Sequence, residues 1–164
     1  MNAAAQIVYI GLGSNLDNPQ DQIKRALNTL DDLSDSRLLQ HSSLYVSKPL
    51  GPSDQPDFVN AVAKLETTQP PLALLDALQA IEQSHRRVRL QHWGPRTLDL
   101  DILLFGDQVI KHDRLNVPHA YMHERSFVLQ PLAEISPDIE IPGYGKLPDL
   151  LKQCDDMGLR RLPK

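Results

Sequence analysis

The sequence predicts an α+β fold: one antiparallel sheet with helices packed on it and loops at one side. Three observations carry this. Short apolar runs at 7–12, 58–66 and 97–105 read as strands. Two intervening segments repeat leucine and isoleucine at three- and four-residue spacing, the stripe of a helix lying on a sheet. Prolines and glycines mark the boundaries between them. A length of 164 residues, with 41% hydrophobic and 23% charged side chains, suits a single domain, 1–164, with a core of its own. The one cysteine, Cys154, excludes an internal disulfide and a multi-cysteine metal site. No apolar run approaches the ~18 residues that span a bilayer, and the first residues lack a basic secretion signal. A cytoplasmic chain without a membrane partner is expected.

The elements follow in order. IVYIGL at 7–12 is a strand, and Gly13-Ser14-Asn15 reads as the turn that stops it. Asn18 as N-cap, Pro19 in the first turn and Asp21 beside the positive end of the dipole start a helix. Its buried face is Ile23, Ala26, Leu27, Leu30 and Leu33. A strand is predicted over 42–47, then a loop over 48–57 stiffened by Pro49, Pro52 and Pro56, then a strand over 58–66. Pro70 and Pro71 open a second helix with Leu72, Leu75, Leu78 and Ile81 inward, and Gln79 and Glu82 share another face. The basic stretch 85–96 reads as a loop, and 97–105 as a central strand. A turn at Gly106-Asp107, a short strand over 108–111 and a helix over 126–134 complete the reading, ahead of a poorly patterned tail. The order β-α-β-β-α-β is that of the split βαβ, ferredoxin-like arrangement.

Chemistry concentrates between 86 and 125. In Asp99-Leu100-Asp101 the period of a strand puts both carboxylates on one face, about 6.6–6.8 Å apart at Cα, where they repel unless neutralised. Mg²⁺ neutralises such a pair, taking one or two carboxylates plus phosphate oxygens, and bridging carboxylates can hold two such ions. A solvent-facing strand carrying two acids is the bland alternative. Against it stand Arg86, Arg87, Arg89 and Arg96 just before, with Arg114 and Arg125 later, because guanidinium pairs bidentately with phosphate. An RNA-binding patch is the competing use of those arginines. The net charge of −4 and the lack of an aromatic pair on the central strands weigh against it. Position 16 is Leu rather than Gly, and no P-loop Gly-Lys-Ser/Thr exists, so neither nucleotide fingerprint applies. The histidines lack metal-site spacing; most read as surface residues, with His119 and His123 nearest the candidate site.

IGLGSNL at 10–16, PLGPSDQPDFVN at 49–60, HWGPRTLDLDI at 92–102, VPH at 117–119 and ERSFVLQPL at 124–132 together resemble the 6-hydroxymethyl-7,8-dihydropterin pyrophosphokinases of folate biosynthesis. The resemblance runs from about Ile7 to Ile135. It implies transfer of the diphosphate of ATP to the hydroxymethyl oxygen of the pterin, with release of AMP. It implies a catalytic set of Arg87, Arg96, Asp99 and Asp101, with Asp99 and Asp101 holding two Mg²⁺ ions. Gln79, Glu82, Arg87, Arg89, Trp93, Arg96, Ile102, Arg114, Asn116, His119 and Arg125 would line the nucleotide site. Ser47, Lys48, Leu50, Phe58, Asn60 and Phe127 would surround the pterin, stacked on phenylalanine and hydrogen-bonded by Asn60. The expected partners are these small molecules, ATP and 6-hydroxymethyl-7,8-dihydropterin, with no nucleic acid, on a monomer.

Overall fold

The first strand runs beyond its apolar run. In the computed structural model, which describes residues 4–15, 18–47, 57–86, 98–120, 122–154 and 159–162, β1 covers Gln6–Ser14. Gly13 and Ser14, read above as a turn, are therefore still strand. α1 covers Pro19–Asp31 and buries Ile23, Ala26, Leu27 and Leu30; Leu33 lies just past its end and packs on the same core. Asn18 stands at the N-cap, but its side chain makes no capping bond. It adopts φ 62°, a left-handed conformation that Asn tolerates better than most residues, and its carbonyl accepts from Gln22 N at 3.0 Å.

The strand expected at 42–47 is confined to its last three residues, and a strand not expected precedes it. β2 is Ser36–His41 and β3 is Tyr45–Ser47, both paired antiparallel with β4, Phe58–Thr67. Between them Ser42 closes the gap, its Oγ accepting from Val62 N at 2.9 Å and its own amide donating to Val62 O at 2.8 Å. β2 has mostly exposed side chains, so its apolar signal is too weak to read. α2 spans Pro71–Arg86, which places His85 and Arg86 in helix rather than in the loop expected for them.

β5, Asp99–Phe105, pairs with β1. The sheet order is β10-β3-β4-β1-β5, where β10 is Arg160–Arg161 and β2 lies beside β4 beyond β3. All pairings are antiparallel, as the ferredoxin-like order requires. The middle of the sheet is thus β4, with β1 between it and β5, and β5, expected to be central, ends the described sheet. Its apolar character has another cause: both faces of the sheet are covered. Val8, Ile10 and Leu12 face α1 and α2, whereas Tyr9 faces a second core with Val62, Leu103 and Leu104. A β-bulge against Tyr9 and Ile10 turns both Leu103 and Leu104 toward that second core and ends the clean alternation of β5.

The second core is built by segments that carry little pattern. α3, Ser126–Ile135, contributes Val128, Leu129, Leu132 and Ile135. The region read as an unpatterned tail supplies β8, Glu140–Ile141, β9, Gly145–Lys146, and α4, Leu147–Gln153, whose Leu147 and Leu150 pack under α3. The strand expected at 108–111 shrinks to β6, Ile110–Lys111, which pairs with β7, Asn116–Val117, outside the main sheet.

Candidate active site

Two glycines open the site. Gly11 and Gly13 point to the α3 side of β1, and a Cβ at Gly13 would lie 3.3 Å from Asn60 Oδ1, while one at Gly11 would lie 3.3 Å from Leu103 Cδ2. Where a central strand drops its side chains on one face, the neighbours stand around a hollow. Asp99 and Asp101 pair in register with Gly13 and Gly11, and Asn60 pairs with Gly13 from the other side, so all three share that face. Ser47 and Phe58 are partners across β3 and β4. The result is a cavity of about 290 Å³ walled by Ser47, Phe58, Asn60, Asp99, Asp101, His119, Arg125 and Phe127, with Leu103 and Ala61 in its floor. Asn60 is 5% exposed and donates from Nδ2 to Ser47 Oγ at 2.7 Å. That bond orients the amide and fixes which end accepts. Arg125 lies with its guanidinium carbon 5.5 Å from the centre of the Phe127 ring, a cation–π contact.

A second cavity, about 310 Å³, lies on the α2 side of β5 and shares Asp101 and His119 with the first. Its walls include Gln79, Glu82, Ile102, Arg114 and Asn116. Glu82 Oε2 accepts from Leu100 N at 2.8 Å, so α2 braces the backbone between the two aspartates. The Arg114 guanidinium donates to Asp76 and to Gln79 Oε1, which pins it at the cavity mouth. His119 follows a cis Val117–Pro118 peptide, and its amide donates to Leu103 O at 3.0 Å along the edge of β5. Burial pushes the His119 imidazole below its usual pKa; the nearby Asp101 carboxylate opposes this, and Arg125 reinforces it.

Residues 9–137 match the family model described as 7,8-dihydro-6-hydroxymethylpterin-pyrophosphokinase (HPPK). The chain belongs to this family. A relative from Pseudomonas aeruginosa, named 2-amino-4-hydroxy-6-hydroxymethyldihydropteridine pyrophosphokinase, is 56% identical over 158 residues, 96% of this chain and 98% of its own length. One of the same name from Haemophilus influenzae is 53% identical over 154 residues, 94% of this chain and 96% of its own. Among solved structures, wild-type Plasmodium falciparum HPPK-DHPS with pteroate superposes with a TM-score of 0.72 at 15% identity, over 93% of this chain and 43% of that one. An HPPK-DHPS in complex with substrates gives 0.73 at 14% identity, over 90% and 43%. At such identity the likeness is one of fold, and this chain spans less than half the length of those solved chains.

Within this HPPK fold the predicted residues fall into two groups. Ser47, Phe58, Asn60 and Phe127 meet in the first cavity, and Gln79, Glu82, Ile102, Arg114, Asn116 and His119 meet in the second. Arg125, expected at the nucleotide, lines the first cavity. Lys48, Leu50, Arg87, Arg89, Trp93 and Arg96 lie outside the described residues. Gly11, Gly13, Leu103 and Ala61 escaped the sequence reading as site residues, although two glycines at i and i+2 of a strand were the available signal. His123 lines neither cavity and stacks on Tyr144 with ring centres 4.2 Å apart. His85, expected in the basic loop, is 6% exposed and bonds to Gln22.

The donor set fits a hard divalent cation. Among the described residues no cluster of three or more His, Cys, Asp or Glu forms a complete metal cage. Asp99 and Asp101 supply two carboxylates on one wall, the pattern of Mg²⁺ sites that draw their remaining ligands from water and phosphate.

Proposed function

We propose that this chain is a pyrophosphokinase of folate biosynthesis that transfers the β,γ-diphosphate of MgATP to the hydroxymethyl oxygen of 6-hydroxymethyl-7,8-dihydropterin, yielding the pterin diphosphate and AMP. The observation that carries the reading is the meeting of two cavities at Asp101 and His119, one apolar and aromatic, the other polar. A flat heterocycle fits the first. Phe58 and Phe127 offer faces for stacking, and Asn60 presents a donor and an acceptor on a buried, oriented amide. The nucleotide belongs in the second, where Gln79, Arg114, Asn116 and His119 offer polar contacts and Leu75, Ile102 and Leu115 offer apolar surface. In this reading Arg87, Arg89, Trp93 and Arg96 serve the nucleotide, and Lys48 and Leu50 serve the pterin.

Asp99 and Asp101 would hold two Mg²⁺ ions, which supply charge neutralisation on the transferred phosphates. The protein's own task is positioning. Phosphoryl transfer is catalysed by holding the attacking hydroxyl in line with the phosphorus together with electrostatic stabilisation of the phosphates. The two cavities set that line, because whatever occupies the first meets whatever occupies the second beside Asp101. Glu82 keeps the backbone of β5 from shifting between the two carboxylates. Arg87 and Arg96 are suited to the developing charge, since guanidinium binds phosphate bidentately. The substrates are small molecules, and the reading takes the chain to act as a monomer in the cytoplasm.

The test is AMP formation from ATP and Mg²⁺ with and without the dihydropterin. AMP and the pterin diphosphate should appear in equal amounts and only when the pterin is present. Binding of both ligands without turnover would instead identify a sensor, and salt-sensitive RNA binding with no response to ATP would identify an RNA module.

A further inference from the structure

One carboxylate outside both cavities gathers donors from three separate segments of the chain. Glu134, near the end of α3, accepts from Ser43 N at 2.9 and 3.0 Å, from Ser43 Oγ at 2.9 Å and from Tyr45 OH at 2.8 Å. Arg161 of β10 adds an ion pair at 2.7 Å. These donors come from the β2–β3 corner, from β3 and from the strand beside it. Burial opposes the charge on Glu134, but the bonds from Tyr45 and Ser43 and the Arg161 guanidinium outweigh it and hold its carboxyl below the usual range. Burial, and then the bond to Glu134, pushes Tyr45 up to about 12. At neutral pH the clamp is therefore one carboxylate held by a neutral phenol, a hydroxyl, an amide and a cation.

Its place relates it to the site. Tyr45 and Ser47 are two apart in β3 and so share the cavity face; Ser47 in turn accepts the bond that orients Asn60. On α3, Phe127 and Glu134 are seven apart, two turns along one stripe of the helix. Thus β3 and α3 each present one residue to the cavity and another, on the same face, to the clamp. The spacing between these two walls is what a flat ring inserted between them would sense.

We infer that Glu134 is a positioning residue for the pterin: by tying α3 to Ser43, Tyr45 and Arg161 it sets the separation of Phe127 from Ser47 and Asn60. This rests on the functional reading above. The experiment measures steady-state kinetics for both substrates, with thermal unfolding alongside, in Glu134→Ala, Glu134→Gln and Tyr45→Phe. Glu134→Ala should raise KM for the dihydropterin about tenfold, with kcat and the KM for ATP changed less than about twofold. Glu134→Gln should recover part of this, since its amide oxygen still accepts from Tyr45 or Ser43. Tyr45→Phe, which removes a single hydroxyl, should give a smaller rise of the same kind and covers the case in which Glu134→Ala does not fold. An unchanged pterin KM in Tyr45→Phe and Glu134→Gln, or parallel losses for both substrates, would overturn the assignment while leaving the activity standing. A wild-type chain inactive with the dihydropterin would instead remove the functional reading on which it rests.

Discussion

Asp101 carries the most exposed role in the site, at the seam of the two cavities, and it is exposed enough that its loss should spare the fold. Asp101→Ala should lower AMP formation at least about a hundredfold, the upper end of the loss that removing even an outer-shell partner of a metal ligand causes, with an unchanged circular dichroism spectrum. Near-normal turnover would sink the two-metal account. Gly13 makes the opposite case, where an added atom matters. A methyl group there would press Asn60 Oδ1 at 3.3 Å, and Asn60 cannot swing freely because Ser47 holds its Nδ2. Gly13→Ala should therefore raise the pterin KM about tenfold, or about 1.4 kcal/mol, and leave the KM for ATP nearly unchanged. The carboxylate pair was legible because strand period alone puts i and i+2 on one face. The glycines were not, since their meaning depends on Asn60 and Leu103, which reach them only across the sheet.

The longer helices were read from the stripes they bury and the longer strands from their apolar runs, whereas the short α4 was not read. α1 and α2 emerge at their expected places from Ile23, Ala26 and Leu30 and from Leu75, Leu78 and Ile81. β2 did not, because its exposed edge imposes no apolar period. The misread end of α2 has a measurable consequence. His85 is buried against Gln22 of α1, and burial, then the Arg25 charge, lowers its pKa, with Asp21 opposing. A histidine kept neutral in the fold but free to protonate when unfolded stabilises fully above its unfolded pKa of about 6.5, and that contribution is lost as pH falls. The urea midpoint should drop between pH 7.5 and pH 5.5, and His85→Asn should show a flatter profile over that range. An equal slope in the variant would place the pH response elsewhere.

For the molecule as a whole, the family match ends at residue 137, yet the fold does not. Ile141, Leu147 and Leu150 complete the core beneath α3, the first two with no exposed surface. Leu147→Ala should cost about 3 kcal/mol by urea denaturation, within the range for a buried leucine. Truncation after Pro137 should abolish cooperative unfolding, because α3 would lose the surface that holds it on the sheet. A chain so shortened that unfolded with wild-type cooperativity would show the second layer to be dispensable.

By itself the sequence determined the buried stripes of α1 and α2 and the shared face of Asp99 and Asp101, because periods of 2 and 3.6 are local properties of the backbone. It also determined the carboxylate pair, the arginine-rich surroundings and the family. The tertiary structure alone decided that β5 ends the described sheet and β1 lies inside it, that a second layer of helices covers the sheet, and that Gly11 and Gly13 open a cavity. Each of these depends on partners far apart in the chain, whose pairing no local period encodes. Glu134 is the clearest instance: an ordinary glutamate on a helix until Ser43, Tyr45 and Arg161 are folded around it.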